Sequence, residues 1–209
     1  MDKVSQGFVR SGGVCLIFAG LLLFVVAAGL TPTLPAENTR QSDIFLWRQL
    51  ASAAVAVLLM NGALGIYLRQ ADHPSIVPGI AFALASLGSA LLLAQEWNEI
   101  FFARDLAIRL PAALEALEAA EFSRWDIGAL LAVSGFTLGW LALAASTLMT
   151  RRFPRWAAWA VIGGFFAIPL SQPIMPGPSG LILGSLILGA GFTGLGYDLL
   201  KSVRPSVDN

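Results

Sequence analysis

Histidine and cysteine each occur only once in this sequence, as His73 and Cys15. One histidine cannot supply a bis-histidine haem site or a multi-histidine metal cluster, and one cysteine cannot form a disulfide within the chain. The HExxH and CxxC motifs are absent, and the glycine-rich run at 189–198 follows no predicted strand. We therefore expect no metal site, no cofactor and no catalytic residue of these classes.

Charged residues are also scarce. They make up 12% of the chain, whereas a typical soluble domain has about 25%. Hydrophobic residues make up 56%, and the mean hydropathy is +0.74. The formal net charge is zero, which argues against nucleic acid as a partner, because nucleic-acid binding needs a basic surface. The composition predicts that the lipid bilayer surrounds most of this chain.

Six apolar segments are long enough to cross a membrane as helices, since a span needs about 20 residues. They lie at about 11–31, 47–68, 76–97, 127–149, 155–173 and 179–200. Lipid offers no partner for free backbone groups, so we expect helices. Prolines and caps mark several starts: Ser75 with Pro78, Pro154 and Pro178. The predicted fold is all-α: one domain, 1–209, forming a six-transmembrane-helix bundle.

The distribution of lysine and arginine predicts the orientation. With both termini in the cytoplasm, eight basic residues lie inside: Lys3, Arg10, Arg69, Arg151, Arg152, Arg155, Lys201 and Arg204. Five lie outside: Arg40, Arg48, Arg104, Arg109 and Arg124. The segments 32–46 and 98–126 are then extracytoplasmic. An alternative is that the first segment is a cleaved signal peptide ending near "TLPAEN", although its apolar run is long for that role.

The stretch "LLLAQEWNEIFFARDLAIRLP", 91–111, continues the third span beyond the membrane. Pro111 then begins a second helix, so 98–126 is predicted to form a short extracytoplasmic helical hairpin. A helical wheel places Glu96, Glu99 and Leu110 on one face, and Asp105 with Arg109 as an i,i+4 ion pair.

Glu96 and Glu99 allow two interpretations. In one, the two carboxylates form a site that binds a proton, a cation or a basic headgroup. In the other, the helix simply meets water there and Glu96 pairs with Arg48, which begins the second span on the same side. Asn61, an amide well inside a span, is predicted to hydrogen-bond a neighbouring helix. The ligand or ion candidates are therefore Glu96, Glu99, Arg48 and Asn61.

Other features predict packing contacts. Small residues four positions apart, such as Gly135/Gly139 and Gly180/Gly184, allow helices to approach closely. Asp198 and Lys201 are spaced to form an ion pair at the end of the last helix.

The segment "LMTRRFPRWAAWAVIGGFF" carries a resemblance to a family. Its arginines, aromatic, proline and glycines are Arg152, Phe153, Pro154, Arg155, Gly163 and Gly164. With the six-span layout, this segment resembles uncharacterised bacterial six-transmembrane-helix proteins grouped as a domain of unknown function. The resemblance implies the fold and a bacterial inner-membrane location, and it implies no activity.

Three functions are compatible with the sequence. The first is a non-catalytic structural or accessory component of the inner membrane that packs against other membrane subunits or a second copy of itself. The second is a small transporter or channel with a polar path at Glu96, Glu99, Arg48 and Asn61. The third is a membrane enzyme acting on a lipid-like substrate at the outer interface. The absence of charges in the middle of the spans disfavours ion-coupled transport.

Overall fold

The computed structural model describes residues 3–35, 39–118, 124–171, 173–175 and 178–203. These residues are mostly helical and contain no β-strand. In chain order the α-helices are α1 (Lys3–Phe24), α2 (Asp43–Gln70), α3 (Val77–Asn98), α4 (Arg104–Arg109), α5 (Pro111–Glu118), α6 (Arg124–Thr150), α7 (Arg155–Ser171) and α8 (Ser179–Ser202). A π-helical turn, Val25–Leu30, extends α1, and another, Glu99–Ala103, joins α3 to α4. The all-α prediction is confirmed for the described part of the chain.

Five helical stretches in the described residues are long and apolar enough to cross a membrane. They are Lys3–Leu30, Asp43–Gln70, Val77–Arg109, Asp126–Thr150 and Ser179–Ser202. The helix α7, predicted as another span, has 17 residues. At 1.5 Å per residue it measures about 26 Å, slightly less than the roughly 30 Å thickness of a hydrocarbon core. The chain thus has the long apolar helices of a multi-pass membrane protein.

The third long stretch includes the segment predicted to leave the membrane. Its 33 residues, Val77–Arg109, measure about 50 Å, and α5 follows after a break at Leu110. The backbone of Leu110 leaves the helical region, with φ −140° and ψ 60°, and Pro111 begins α5. Residues 119–123 of the predicted hairpin lie outside the described residues, and α5, Pro111–Glu118, precedes them.

Local sequence signals explain several helix ends. Ser42 caps α2, because its Oγ accepts a hydrogen bond from the Phe45 amide at 3.1 Å. Pro78 lies in the first turn of α3, where its missing N–H has no helical partner to lose. Pro178 immediately precedes α8, and α7 begins directly after Pro154. The proline positions therefore predicted these starts correctly.

Glycines bring several helices into backbone contact. A Cβ added to Gly12 of α1 would lie 2.8 Å from the Gly65 Cα of α2, closer than packed Cβ atoms come. Gly20 meets Gly189 of α8 in the same way, and Gly88 of α3 meets Gly135 of α6. The predicted close packing is confirmed at Gly135 and Gly139 of α6, since Gly139 likewise meets the Leu84 backbone of α3. Without a side chain between them, the helix backbones can reach van der Waals distance.

Apolar side chains fill the middle of the bundle. Leu16, Leu59, Leu143 and Phe192 have no accessible surface. Trp140 stacks edge-on against Phe192, with ring centroids 4.8 Å apart, and donates its Nε1–H to the Ser89 Oγ at 3.0 Å.

The two ends of the bundle differ in their charged residues. The end at which α1 begins and α8 ends is here called the basic end, and the opposite end is called the α5 end. The described basic residues at the basic end are Lys3, Arg10, Arg69, Arg151, Arg152, Arg155 and Lys201. Asp198 at this end pairs with Arg69 of α2, so the predicted pair with Lys201 was wrong. Arg69 also lies over the Phe153 ring, 4.7 Å from its centroid.

Candidate functional site

Glu99 is the most enclosed carboxylate at the α5 end. It begins the π-helical turn after α3, and 9% of its surface is accessible. Its Oε2 accepts a hydrogen bond from the Arg40 Nε at 3.0 Å. Its Oε1 accepts a hydrogen bond from the Gln95 Nε2, one helical turn earlier, at 3.4 Å. The carboxylate is thus held between its own helix and the segment that precedes α2.

Arg48 lies in the first turns of α2 and points into the same region. Its Nε donates to the Thr31 Oγ1 at 3.3 Å, and its Nη1 donates to the Gln49 Oε1. Gln49 is 4% accessible, although it lies near a helix end. The Thr31 hydroxyl in turn donates to the Val26 carbonyl at 2.8 Å, inside the π-helical turn that extends α1. These bonds connect α2 to the end of α1 around the guanidinium group.

Glu96 lies between these two groups. Arg48 attracts its carboxylate and Glu99 repels it. The Glu96 Oε2 is buried and has no hydrogen-bond partner among the described residues. The predicted Glu96–Arg48 pair is therefore an electrostatic attraction without a hydrogen bond, while Glu99 of the same cluster forms an ion pair with Arg40. An ionised carboxylate in this position lacks the hydrogen bonds that usually compensate for burial.

Both π-helical turns adjoin this cluster. Glu99 is the first residue of one turn, and Thr31 caps the other, its backbone N–H bonding to the Val26 carbonyl. A π turn inserts an extra residue into a helix and changes the direction of the following side chains, and such turns are frequent at functional sites. The two turns make the α5 end the least regular part of the long helices.

A small cavity of about 260 Å³ lies beside the cluster. Its lining residues are Thr39, Arg40, Gln41, Ala107, Pro111, Leu114 and Glu115. The Gln41 side chain donates to the Ala107 carbonyl at 2.9 Å, which fastens the turn before α2 against α4. Arg104 makes a second link, to Asp43, at 3.0 Å. The cavity is lined by one arginine and one carboxylate and is open to the outside of the bundle.

Asn61 does not belong to this cluster. It lies thirteen residues after Arg48 in α2, about 20 Å away along the helix axis. Its side chain is exposed on the surface of the bundle and donates to the Val57 carbonyl of its own helix at 3.0 Å. The predicted hydrogen bond to a neighbouring helix is not made within this chain. Of the four candidate residues, the structure brings together Glu96, Glu99 and Arg48.

Sequence reasoning missed the partners of these three residues. Gln95 could have been found, because it precedes Glu99 by one helical turn. Gln49 could have been found as a polar neighbour of Arg48 on an otherwise apolar helix. Arg40 lies in a segment without helical periodicity, and no sequence signal joins it to Glu99.

The cluster has the charges to bind a small polar or charged group, but it lacks metal-binding features. No group of three or more histidine, cysteine, aspartate or glutamate side chains in the described residues could hold a metal ion. No family model matches the chain, and no curated protein or solved structure is significantly similar to it. The resemblance to a bacterial six-helix family therefore stays a prediction.

Proposed function

We propose that this protein is a non-catalytic accessory component of a bacterial inner membrane, with six spans and both termini in the cytoplasm. One observation carries the proposal: the described charged residues lie at the two ends of the bundle, and the middle is filled mostly with apolar side chains. Leu16, Leu59 and Leu143 have no accessible surface there. A closed apolar middle suits a protein that is held in the membrane and presents its ends to other molecules.

The proposal of six spans requires that α7 crosses the membrane in addition to the five longer helical stretches. Its sequence is apolar over most of its 17 residues, and it packs along α8, where Gly164 meets the Leu188 backbone. A helix slightly shorter than the bilayer core is accommodated by local thinning or by the residues that flank it. Trp156 and Trp159, both exposed, lie near its start, and tryptophan is enriched at membrane interfaces.

The α5 end offers a surface to a partner outside the bilayer. Exposed apolar side chains on α4, on α5 and at the break between them include Ile108, Leu110 and Leu117. In the proposed topology they lie outside the bilayer, where lipid tails would not cover them. Exposed apolar side chains in water commonly mark a protein interaction surface.

Photo-crosslinking tests this proposal. A photoreactive amino acid is placed at Leu117 of α5, and the protein is expressed in its native cells. The matched control position is Leu138 of α6, which is also an exposed leucine but lies in a spanning helix. We expect a discrete protein adduct from position 117 and lipid adducts from position 138. Absence of a protein adduct from position 117, together with a lone monomer after purification in mild detergent, would contradict the proposal.

The transporter alternative receives less support, because Asn61 is exposed on the bundle surface and does not continue the polar cluster inward. Reconstituted vesicles test this directly. We expect no proton or cation flux above that of protein-free vesicles, since the apolar middle presents no polar path. A flux that Glu96→Gln removes would favour the transporter over the component.

A second candidate function is chemistry or ligand binding at the outer interface on a lipid-like substrate. The observation that favours it is the buried Glu96 Oε2, which finds no hydrogen-bond partner in the part of the chain that the structure describes and is attracted by Arg48. Such a carboxylate could accept a proton or a hydrogen bond from a bound molecule. Glu96→Gln is the variant that separates this candidate from a purely structural role.

A further inference from the structure

A second and larger cavity opens on the lipid-facing side of the bundle. It is a groove of about 560 Å³ between α1 and α8, closed at one end by Trp156 of α7. Its lining residues are Ile17, Gly20, Leu21, Phe24, Trp156, Leu186, Gly189, Ala190, Thr193, Gly194 and Tyr197. The glycines among these residues form the floor of the groove, so no side chain projects into it there. Nearly all of its surface is apolar, so its occupant in a membrane is a hydrocarbon chain.

The length of the groove matches one leaflet. From Leu186 to Tyr197 it follows α8 for about 16 Å at 1.5 Å per residue. Half of a hydrocarbon core of roughly 30 Å is about 15 Å. Tyr197 and Trp156 lie at the end nearest the basic end, and both are exposed. Tyrosine and tryptophan commonly lie at the level of lipid headgroups, so the groove runs from a membrane interface to the bilayer centre.

Three basic residues stand at the interfacial end of the groove. Gly13 of α1 contacts Gly196 of α8, so in this antiparallel pair Arg10 stands level with the last turns of α8. Lys201 follows Tyr197 by one helical turn. Arg155 is adjacent to Trp156, whose ring contacts Gly194 at the same level.

These three cations are available to a ligand. Arg10, Arg155 and Lys201 are exposed, and none forms an ion pair with another described residue. The two aspartates described at the basic end are already engaged. Asp198 pairs with Arg69, and Asp72 lies 3.6 Å from Arg152.

We propose that this groove binds an acyl chain of an anionic phospholipid, whose headgroup phosphate is held by Arg10, Arg155 and Lys201. Basic pockets between spanning helices bind anionic lipid headgroups by this combination of charge and shape. The apolar groove supplies the chain contacts, and the basic rim discriminates against neutral headgroups. This inference does not depend on the function of the α5 end.

Native mass spectrometry of the detergent-purified full-length protein tests the proposal. The protein is incubated with equal amounts of phosphatidylglycerol and phosphatidylcholine that carry identical chains. We expect phosphatidylglycerol to be retained at least tenfold more, since each basic residue near a membrane surface contributes about fivefold to the binding of an anionic lipid. Equal retention of the two lipids would overturn the proposal.

Two variants test the basic residues at the end of the groove and the apolar groove itself separately. R10Q/K201Q should lower the preference for phosphatidylglycerol over phosphatidylcholine by about twenty-five-fold, or abolish it, because each of the two residues contributes about fivefold. The control R109Q removes an exposed charge at the α5 end, opposite the interfacial end of the groove, and should leave the preference unchanged. Ala190→Phe fills the groove and should lower retention of both lipids. Unchanged retention in either R10Q/K201Q or Ala190→Phe would overturn the proposal.

Soluble competitors identify the source of the phosphate. Glycerol phosphate and inorganic phosphate should not displace phosphatidylglycerol, because they lack the chain that fills the groove. Short-chain phosphatidylglycerol should be retained less than the long-chain lipid in the wild-type protein, which tests the groove without a substitution. Displacement by inorganic phosphate, or equal retention of short and long chains, would show a site for a free anion and would refute the lipid proposal.

Discussion

Arg40 donates its Nε–H to the Glu99 Oε2 at 3.0 Å, although the two residues are 59 positions apart in the chain. Their ion pair fastens the segment before α2 to the π-helical turn after α3. Glu99 is thus paired, whereas the buried Glu96 Oε2 has no hydrogen-bond partner among the described residues. The two glutamates therefore have different roles in stability, and substitutions can separate them.

Glu99→Gln should destabilise the protein. It removes the charge that pairs with Arg40 in a mostly enclosed position, and hydrogen bonds to charged groups contribute about 1.5–3 kcal/mol each. Thermal unfolding in detergent should show a lower midpoint. The control is Asp105→Asn, which breaks the exposed i,i+4 pair with Arg109 and should cost less than about 0.5 kcal/mol. Equal effects of the two substitutions would show that the Arg40–Glu99 pair contributes no more than an exposed one.

Glu96→Gln should leave the unfolding midpoint unchanged or raise it. The substitution loses no hydrogen bond made by the Glu96 side chain in this structure, and it removes a buried charge whose desolvation is unfavourable. Any ligand binding or activity at the α5 end should be lost in the same variant. A fall in the midpoint as large as that of Glu99→Gln would instead assign Glu96 a structural role.

Gly12→Ala should separate α1 from α2. The added Cβ would lie 2.8 Å from the Gly65 Cα, and backbone cannot move aside as a side chain can, so we expect a cost of about 1–3 kcal/mol. Gly163→Ala is the matched control, because no atom lies within 4 Å of its added Cβ. It should be neutral or stabilising, since alanine favours a helix over glycine by up to about 1 kcal/mol. An unchanged unfolding free energy in Gly12→Ala would show that the contact between α1 and α2 has room for the added Cβ.

Asn61→Leu should change the unfolding free energy by no more than about 0.5 kcal/mol. The amide is exposed and bonds only to the Val57 carbonyl of its own helix. The same measurement should be accompanied by size-exclusion chromatography with light scattering. A smaller assembly in the variant than in the wild type would show that Asn61 contacts a second copy.

The positions of the long helices follow from the sequence, because apolar length and proline positions are local properties. The prolines at 78, 111, 154 and 178 mark starts that the structure retains. The exposed Asp105–Arg109 pair, at 2.7 Å, was also predicted from its i,i+4 spacing. These features need no knowledge of neighbouring helices.

The partners of the charged residues could not be predicted, because they depend on how each helix is rotated. Asp198 pairs with Arg69 of another helix and not with Lys201. Asn61 points out of the bundle, although the average preference is for polar groups to face a neighbour. No sequence pattern fixes these rotations.

The prediction of which residues share one side of the helix at the end of the third span was partly wrong, and the cause is again the rotation of the helix. A wheel drawn at a uniform angle groups Leu110 with Glu96 and Glu99, but Leu110 is exposed. The π-helical turn at Glu99–Ala103 adds a residue and rotates everything after it. The buried residues of this segment are Glu99, Ile100, Ala103 and Ala107; of these, Ala103 belongs with Glu99 to the predicted face.

Glycine contacts join the helices of the bundle in two groups. One group holds α1, α2, α7 and α8, and in the other Gly88 of α3 meets Gly135 of α6. Helices in backbone contact cannot slide past each other without steric overlap. Arg48 belongs to the first group and Glu96 to the second. A rotation of one group against the other would therefore change the distance between these two charges.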